Sequence, residues 1–216
     1  MNIFLSVVTA GAALLVAAPA QAQLGWLRDL HFAGGGLVYA VQEGTDLEAK
    51  TRSGTWFGGE IEARLAKVSL HARFLAGSLN ENAPGFSQTA RSTSMALLYH
   101  PASGIEAGVE GEAVRLASSL STTIWRLYGV RLGVTTGLGI AGLRGRADFA
   151  AYPVTGAVAA RALRVPMRAE VGMAYAIPRL PLELRLAYRA EIIDFKDTSD
   201  LRLAGLLVGV AVRLGP

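Results

Sequence analysis

The chain offers few side chains for nucleophilic or metal chemistry. It contains three histidines, His31, His71 and His100, and no cysteine, which excludes disulfides, thiolate metal sites and cysteine nucleophiles. None of the histidines lies beside a serine or aspartate in a local sequence typical of a hydrolase, where nucleophile and base must meet. Three isolated histidines also lack the spacing of metal ligands. We therefore expect no enzyme, no metal and no other cofactor.

Glutamate and arginine instead recur at every second position. In the segment 182–192, Glu183, Arg185, Arg189 and Glu191 alternate with apolar residues, and segments 60–65, 68–76, 105–113 and 168–177 follow the same rule. Successive side chains of a β-strand point to opposite faces, so each segment has one ionic and one apolar face. The pattern predicts an all-β protein.

Composition narrows the class further. The 216 residues suit one domain, and 51% of them are apolar while 18% are charged, so the two kinds must be interleaved. Beyond the N-terminus no window of about 18 uninterrupted apolar residues occurs, which excludes a helical membrane protein. The net charge of +4 is scattered at strand spacing without a basic run, so nucleic acid is not an expected partner.

Residues 1–22 are predicted to be a cleaved signal peptide. They form an apolar stretch that ends in Ala20-Gln21-Ala22, a small-x-small cleavage pattern that would leave Gln23 as the new terminus. The alternative is a membrane anchor, but the apolar stretch is shorter than the roughly 20 residues of a span, and Pro19 interrupts its end. Residues 23–216 then form the mature domain.

Ten strands are predicted, near 30–41, 54–65, 67–77, 92–100, 103–116, 121–134, 138–151, 166–177, 181–193 and 201–214. Tight connections near 66, 100–104, 135–137 and 178–181 alternate with longer ones at 42–53, 78–91, 117–120, 152–165 and 194–200, as in transmembrane barrels. The segment 154–165 is predicted to be a loop, and a further strand or a short helix is the alternative. A change of parity around Gly129 requires a bulge, and eight or twelve strands are the alternatives.

The last strand carries a family resemblance. The segment GVAVRL, from Gly209 to Leu214, resembles the C-terminal insertion signal of bacterial outer-membrane β-barrels, with Leu214 in the place of the usual aromatic residue. The resemblance implies an antiparallel up-and-down transmembrane β-barrel in the bacterial outer membrane. It implies membrane lipid and, during insertion, the barrel assembly machinery as partners. Alternation alone also fits a soluble sandwich, which the signal peptide and the turn lengths disfavour.

Aromatic residues fall near the predicted strand ends. They are Phe32, Tyr39, Trp56, Phe57, Tyr99, Tyr152, Tyr175 and Phe195. Two interfacial girdles at the membrane surfaces are the preferred interpretation, and ordinary core aromatics are the alternative.

If the apolar faces meet lipid, the charged faces line the lumen. The predicted lumen charge network comprises Glu60, Glu62, Arg64, Arg73, Glu106, Glu110, Glu112, Arg144, Arg146, Arg168, Glu170, Glu183, Arg185, Arg189 and Glu191. The lumen of a ten-strand barrel is only slightly wider than one filled by side chains, so acids and arginines can pair across it. We expect a plugged lumen and a structural or surface-interaction role. The alternative is a narrow pore that passes small solutes along the Glu106, Glu110 and Glu112 row.

The remaining place for function is the outer loops. Segments 42–54 and 78–92 are polar and contain glycine, which is typical of exposed loops. They are predicted to be solvated, with binding of a surface ligand as the alternative.

Overall fold

The computed structural model describes residues 30–45, 52–81, 87–119, 121–157, 164–195 and 200–214. The signal-peptide prediction for residues 1–22 lies outside these ranges and stays a prediction. No helix in the described part of the chain is long and apolar enough to cross a membrane.

The ten predicted strands are confirmed. They are β1 (Leu30–Thr45), β2 (Arg52–Leu65), β3 (Val68–Glu81), β4 (Ser87–Ala102), β5 (Ile105–Ala117), β6 (Thr122–Gly137), β7 (Leu143–Ala157), β8 (Met167–Ala176), β9 (Leu182–Ile193) and β10 (Leu201–Leu214). Each strand pairs antiparallel with its neighbours in sequence, and β1 closes on β10. The predicted fold class, an up-and-down barrel of about ten strands, is therefore confirmed.

The strands are strongly staggered around the barrel. A path that starts at His31 and steps from each residue to its paired residue on the next strand passes once around the barrel. It returns to β1 at Glu43, twelve residues further along the strand. Such a stagger requires the strands to tilt by about 35–45° from the barrel axis. Each strand then presents its alternate residues to the lumen at a series of heights.

One end of the barrel carries the tight turns. They comprise residues 66–67, 103–104, 138–142 and 177–181, so the turn predicted at 135–137 was placed too early. The residues with left-handed backbone, Ala66, Gly104, Gly139, Gly142 and Arg179, all lie in these turns. At Gly104 (φ +76°), a Cβ atom would lie 2.2 Å from the Thr135 carbonyl oxygen, so this close approach requires glycine.

At the other end, the connections are residues 46–51, 82–86, 118–121, 158–166 and 194–200. The first, second and fourth are shorter than predicted, because their flanking strands extend further than the alternation suggested, and the other two keep the predicted length. The predicted loops 42–54 and 78–92 are therefore wrong in extent, since strands β1 to β4 include most of both segments. The segment 154–165 adds no strand in its described part, because 154–157 continue β7.

The ladders of the described strands contain two register irregularities, and each spans a proline. The predicted irregularity lies at Gly129, but its extra residue is in β7, where Tyr128 pairs with Val154 and Val130 with Ala151 across Pro153. The second lies in β4 around Pro101, where Tyr99 pairs with Ala107 and Ala102 with Ile105. Proline lacks the N–H group that a regular ladder requires, so it is tolerated at bulges. Strand β6 itself keeps its parity.

The outer surface of the barrel is an apolar belt. Its exposed side chains include Phe57, Ile61, Leu97, Val109, Val130, Leu132, Val171, Leu186, Val208 and Val210. A continuous exposed apolar surface of this extent is stable only when another apolar phase covers it. The belt therefore shows that the outward face contacts the hydrocarbon of a bilayer.

Candidate functional site in the barrel lumen

The loop-end half of the lumen is filled by an apolar layer. The buried side chains of this layer include Leu37, Tyr39, Val41, Trp56, Leu75, Leu79, Val114, Leu116, Trp125, Leu127, Tyr152, Ile193, Phe195, Leu201 and Leu203. Tyr39 packs edge-on against Trp56 with ring centroids 5.7 Å apart, and Trp125 contacts Phe195 at 6.1 Å. This layer was not predicted from the sequence.

The girdle interpretation is accordingly wrong for half of its residues. Tyr39, Trp56, Tyr152 and Phe195 are buried in the lumen, whereas Phe57 and Tyr99 are about half exposed on the outer face. A ten-strand lumen is wider than one that small side chains alone would fill, so large rings pack well in it beside the aliphatic residues.

An ionic layer occupies the tight-turn side of the apolar layer. Its inward positions carry nine carboxylates and nine guanidinium groups among the described residues, so their formal charges balance. The carboxylates belong to Glu60, Glu62, Glu106, Glu110, Glu112, Asp148, Glu170, Glu183 and Glu191, and the guanidinium groups to Arg64, Arg73, Arg131, Arg144, Arg146, Arg168, Arg185, Arg189 and Arg213. Balance matters here, because a buried charge without a partner costs several kcal/mol.

The deepest cluster joins β5 to β8 and β9. Arg168 donates to Glu110 at 2.5 and 2.7 Å and to Glu112 at 2.8 Å. Arg189 donates to the other oxygen of Glu112 at 2.7 Å. The Tyr152 hydroxyl donates to Glu112 at 2.9 Å, which ties the ionic layer to the apolar one. The Glu110 and Glu112 side chains are completely buried.

A second cluster crosses the lumen. Arg73 of β3 donates to Glu60 of β2 at 2.9 Å and to Glu170 of β8 at 2.6 Å. Arg185 of β9 pairs with Glu60 as well, and it donates to Glu183 at 2.7 Å. Because β3 and β8 lie on opposite walls of the barrel, the Arg73–Glu170 ion pair spans the lumen.

The third cluster contains Arg131, which sequence analysis missed. Arg131 donates to Asp148 at 2.8 Å and to Glu106 at 3.3 Å, and Arg146 donates to the same two carboxylates at 2.7 and 3.0 Å. Arg131 was missed because the parity change was assigned to β6 rather than β7. The apolar neighbours Val130 and Leu132 were the signal in the sequence that Arg131 lies on the inward face.

Two of the histidines, His71 and His100, have polar partners in the structure. Arginine can only donate, so the 3.1 Å contact from Arg131 makes Nδ1 of His71 an acceptor and leaves the proton on Nε2, which lies 3.4 Å from Glu60. Ser69 and His100 are hydrogen bonded at 2.9 Å, a pairing that sequence analysis did not find. Ser69 is 1% exposed. The described residues also contain no group of three potential metal ligands.

A cavity of about 910 Å³ opens at the tight-turn end. Arg144 and Arg213 flank it, and both donate to Glu183 at 2.5 Å. Glu62 and Arg64 also line the mouth of the cavity. Arg64 donates to the Ala66 carbonyl, and neither residue forms an ion pair with the described residues.

The other residues of the predicted network all form ion pairs. Glu191 accepts from Arg189 at 3.1 Å, and the rest lie in the pairs described above. The functional role of this network stays a prediction.

Glycine makes room for one of the carboxylates. Gly133 faces Glu106 across β5 and β6, and a Cβ atom there would lie 2.5 Å from Cγ and Oε1 of Glu106. We expect Gly133→Val to displace Glu106 from Arg131 and Arg146 and to lower the free energy of unfolding by about 1–3 kcal/mol. Urea titration of the refolded protein in lipid vesicles measures this loss. Gly36→Val is the control, because nothing lies within 4 Å of a Cβ there, and an equal loss in both variants would contradict the explanation.

No family model and no curated protein matches the chain. Among solved structures, the outer membrane protease OmpT from Escherichia coli is similar with a TM-score of 0.55 and 8% identity, covering 89% of this chain and 99% of that one. Neisserial surface protein A (TM-score 0.40, 16% identity, 84% and 96% coverage) and LpxR from Salmonella typhimurium (0.38, 10%, 85% and 99%) are also found.

The fold is that of a bacterial outer-membrane β-barrel. At such low identity the likeness to OmpT shows the fold alone, and the apolar belt agrees with it. The fold that the resemblance of the last strand implied is confirmed, with no subfamily assigned. The chain is thus a small outer-membrane barrel in contact with membrane lipid. Short turns face the periplasm in such barrels, so we place the cavity on the periplasmic side and the apolar layer on the outer side.

Proposed function

We propose that this outer-membrane barrel is a sealed structural barrel that does not conduct solutes. The observation that carries the proposal is the apolar layer, whose side chains fill the outer half of the lumen. Water and ions cannot cross such a layer without a large desolvation cost.

The ionic layer supports the same proposal. A solute passing through the middle of the lumen would have to separate Arg73 of β3 from Glu170 of β8, a pair that holds opposite walls together. It would also have to displace Arg168 from Glu110, whose side chain is completely buried. Leaving one charge of a buried ion pair without its partner costs about 3–5 kcal/mol, so thermal opening of both layers is rare.

A narrow pore is the second candidate, and the periplasmic cavity is the observation that favours it. At about 910 Å³ it holds a small solute, and its wall alternates charges of both signs. A complete path would still need the apolar layer to rearrange.

The surface-interaction part of the prediction rests on the outer loops. Segments 46–51 and 82–86 lie outside the described residues, so this part stays a prediction. A catalytic role receives no support from the lumen, since the described residues of its outer half contain no histidine.

Single-channel conductance in a planar bilayer tests the proposal. We expect the refolded, unmodified protein to be silent, and steady conductance would overturn the sealed-barrel proposal in favour of the pore. The Trp56→Ala, Tyr152→Ala double variant, combined with Arg185→Ala and Arg189→Ala, removes side chains from both layers and is expected to conduct. Phe57→Ala is the matched control, because Phe57 is adjacent to Trp56 but faces lipid at 53% exposure.

A further inference from the structure

Three arginines lie together on the outer face of the barrel. Arg91 of β4 and Arg115 of β5 are paired directly across the two strands. Arg126 of β6 is paired with Ala113, two residues from Arg115 on the same face. All three side chains are exposed and point away from the lumen. Directly opposed residues in a sheet have Cβ atoms about 4.5–5.5 Å apart, so these three charges share one patch.

The patch has no anionic partner within the described protein. Its neighbours on the same face are Thr93, Ala113 and Ile124, with Ala76 of β3 and Gly156 of β7 at its edges. Other arginines near this end differ, since Arg52 pairs with Glu43 and Arg164 lies 3.8 Å from Asp194. Like charges placed directly opposite each other destabilise a sheet, so the arrangement calls for an external anion.

The position of the patch identifies the anion. Just below it, on the same three strands, the belt begins with Met95, Val109 and Tyr128, each more than half exposed. The patch therefore lies where hydrocarbon meets the polar headgroups, at the loop end of the barrel. Lipid phosphates are the anions concentrated at this level, and guanidinium groups bind phosphate oxygens in a bidentate manner.

We propose that Arg91, Arg115 and Arg126 bind the phosphate groups of a lipid in the outer leaflet. The lipid chains lie along the apolar belt next to Tyr128, and the phosphates neutralise the opposed guanidinium groups. This proposal is independent of whether the lumen conducts, because the site is outside the barrel.

Binding of a phosphate-bearing lipid to the refolded protein in neutral detergent micelles tests it. Phosphatidic acid is the probe and phosphatidylcholine is the uncharged comparison. We expect phosphatidic acid to bind, and the Arg91→Gln, Arg115→Gln, Arg126→Gln variant to bind it about 100-fold more weakly, since each basic residue near a membrane surface contributes about 1 kcal/mol. The single Arg115→Gln variant is expected to lose about 5-fold.

Matched controls separate a site from general charge attraction. The Lys67→Gln, Arg164→Gln, Arg179→Gln variant also removes three exposed positive charges, but they lie apart from one another, and we expect its affinity to change less than 3-fold. Equal losses in the two triple variants would overturn the proposal, as would unchanged binding in the patch variant. Equally tight binding of inorganic phosphate alone would assign the patch to a free anion and overturn the lipid site.

Discussion

Replacing Arg168 with alanine is expected to lower the free energy of unfolding by about 3–5 kcal/mol, because it leaves buried carboxylates without their main partner. Arg168 donates three hydrogen bonds to Glu110 and Glu112. Glu110 would keep the Tyr152 hydroxyl at 3.3 Å and the Arg131 guanidinium at 3.7 Å. Equilibrium unfolding of the refolded protein in urea, followed by tryptophan fluorescence, measures the change.

Two further variants decide whether the lost ion pair is the cause. Adding Glu110→Gln to the Arg168→Ala background removes the unpaired charge and is expected to recover about 1–2 kcal/mol. Arg164→Ala is the control, because Arg164 is 61% exposed and a surface ion pair is worth about 1 kcal/mol or less. A large loss in the control, or no recovery in the double variant, would contradict the role assigned to the cluster.

Placing an arginine in the middle of the apolar belt is expected to be nearly as damaging. Leu132 points outward at 56% exposure, between Val130 and Val134 on β6. Leu132→Arg should lower the free energy of unfolding by about 2–4 kcal/mol in a bilayer, as a cation loses its hydration at mid-depth. The measurement is urea unfolding of the protein refolded into large lipid vesicles.

The same strand supplies the control for this belt prediction. Thr136 is exposed on the same face of β6 at the tight-turn end, where water and headgroups solvate a cation. Thr136→Arg is expected to cost about 0–1 kcal/mol. Equal costs at the two positions would contradict the position of the belt.

The barrel itself could be predicted because its signal is local. The alternation in the segment 182–192 and in the four other alternating segments reflects the period of two that every strand imposes on its side chains. Ten strands with alternating turn lengths follow from this pattern. The strand ends were less accurate, because residues such as 42–45 and 87–91 are polar in sequence and are paired only through long-range ladders.

The candidate site was predicted in part. Fifteen charged residues were assigned inward from alternation, and the structure places all of them on the lumen side. Arg131 was missed because the bulge was placed on the wrong strand of a pair, and sequence does not show which of two paired strands carries the extra residue. The apolar layer was missed because Leu75, Leu79 and Leu127 look like lipid-facing residues when only their hydrophobicity is considered.

By itself, the sequence determined that this protein is all-β, that its strands have one ionic and one apolar face, and that they number about ten, because strand periodicity is a property of neighbouring residues. Only the tertiary structure decided that the outer half of the lumen is apolar, that Arg73 reaches Glu170, and that Arg91 meets Arg115 on the lipid face. Those contacts depend on the register of each strand pair and on the stagger with which the barrel closes, and both are set by the ladder as a whole.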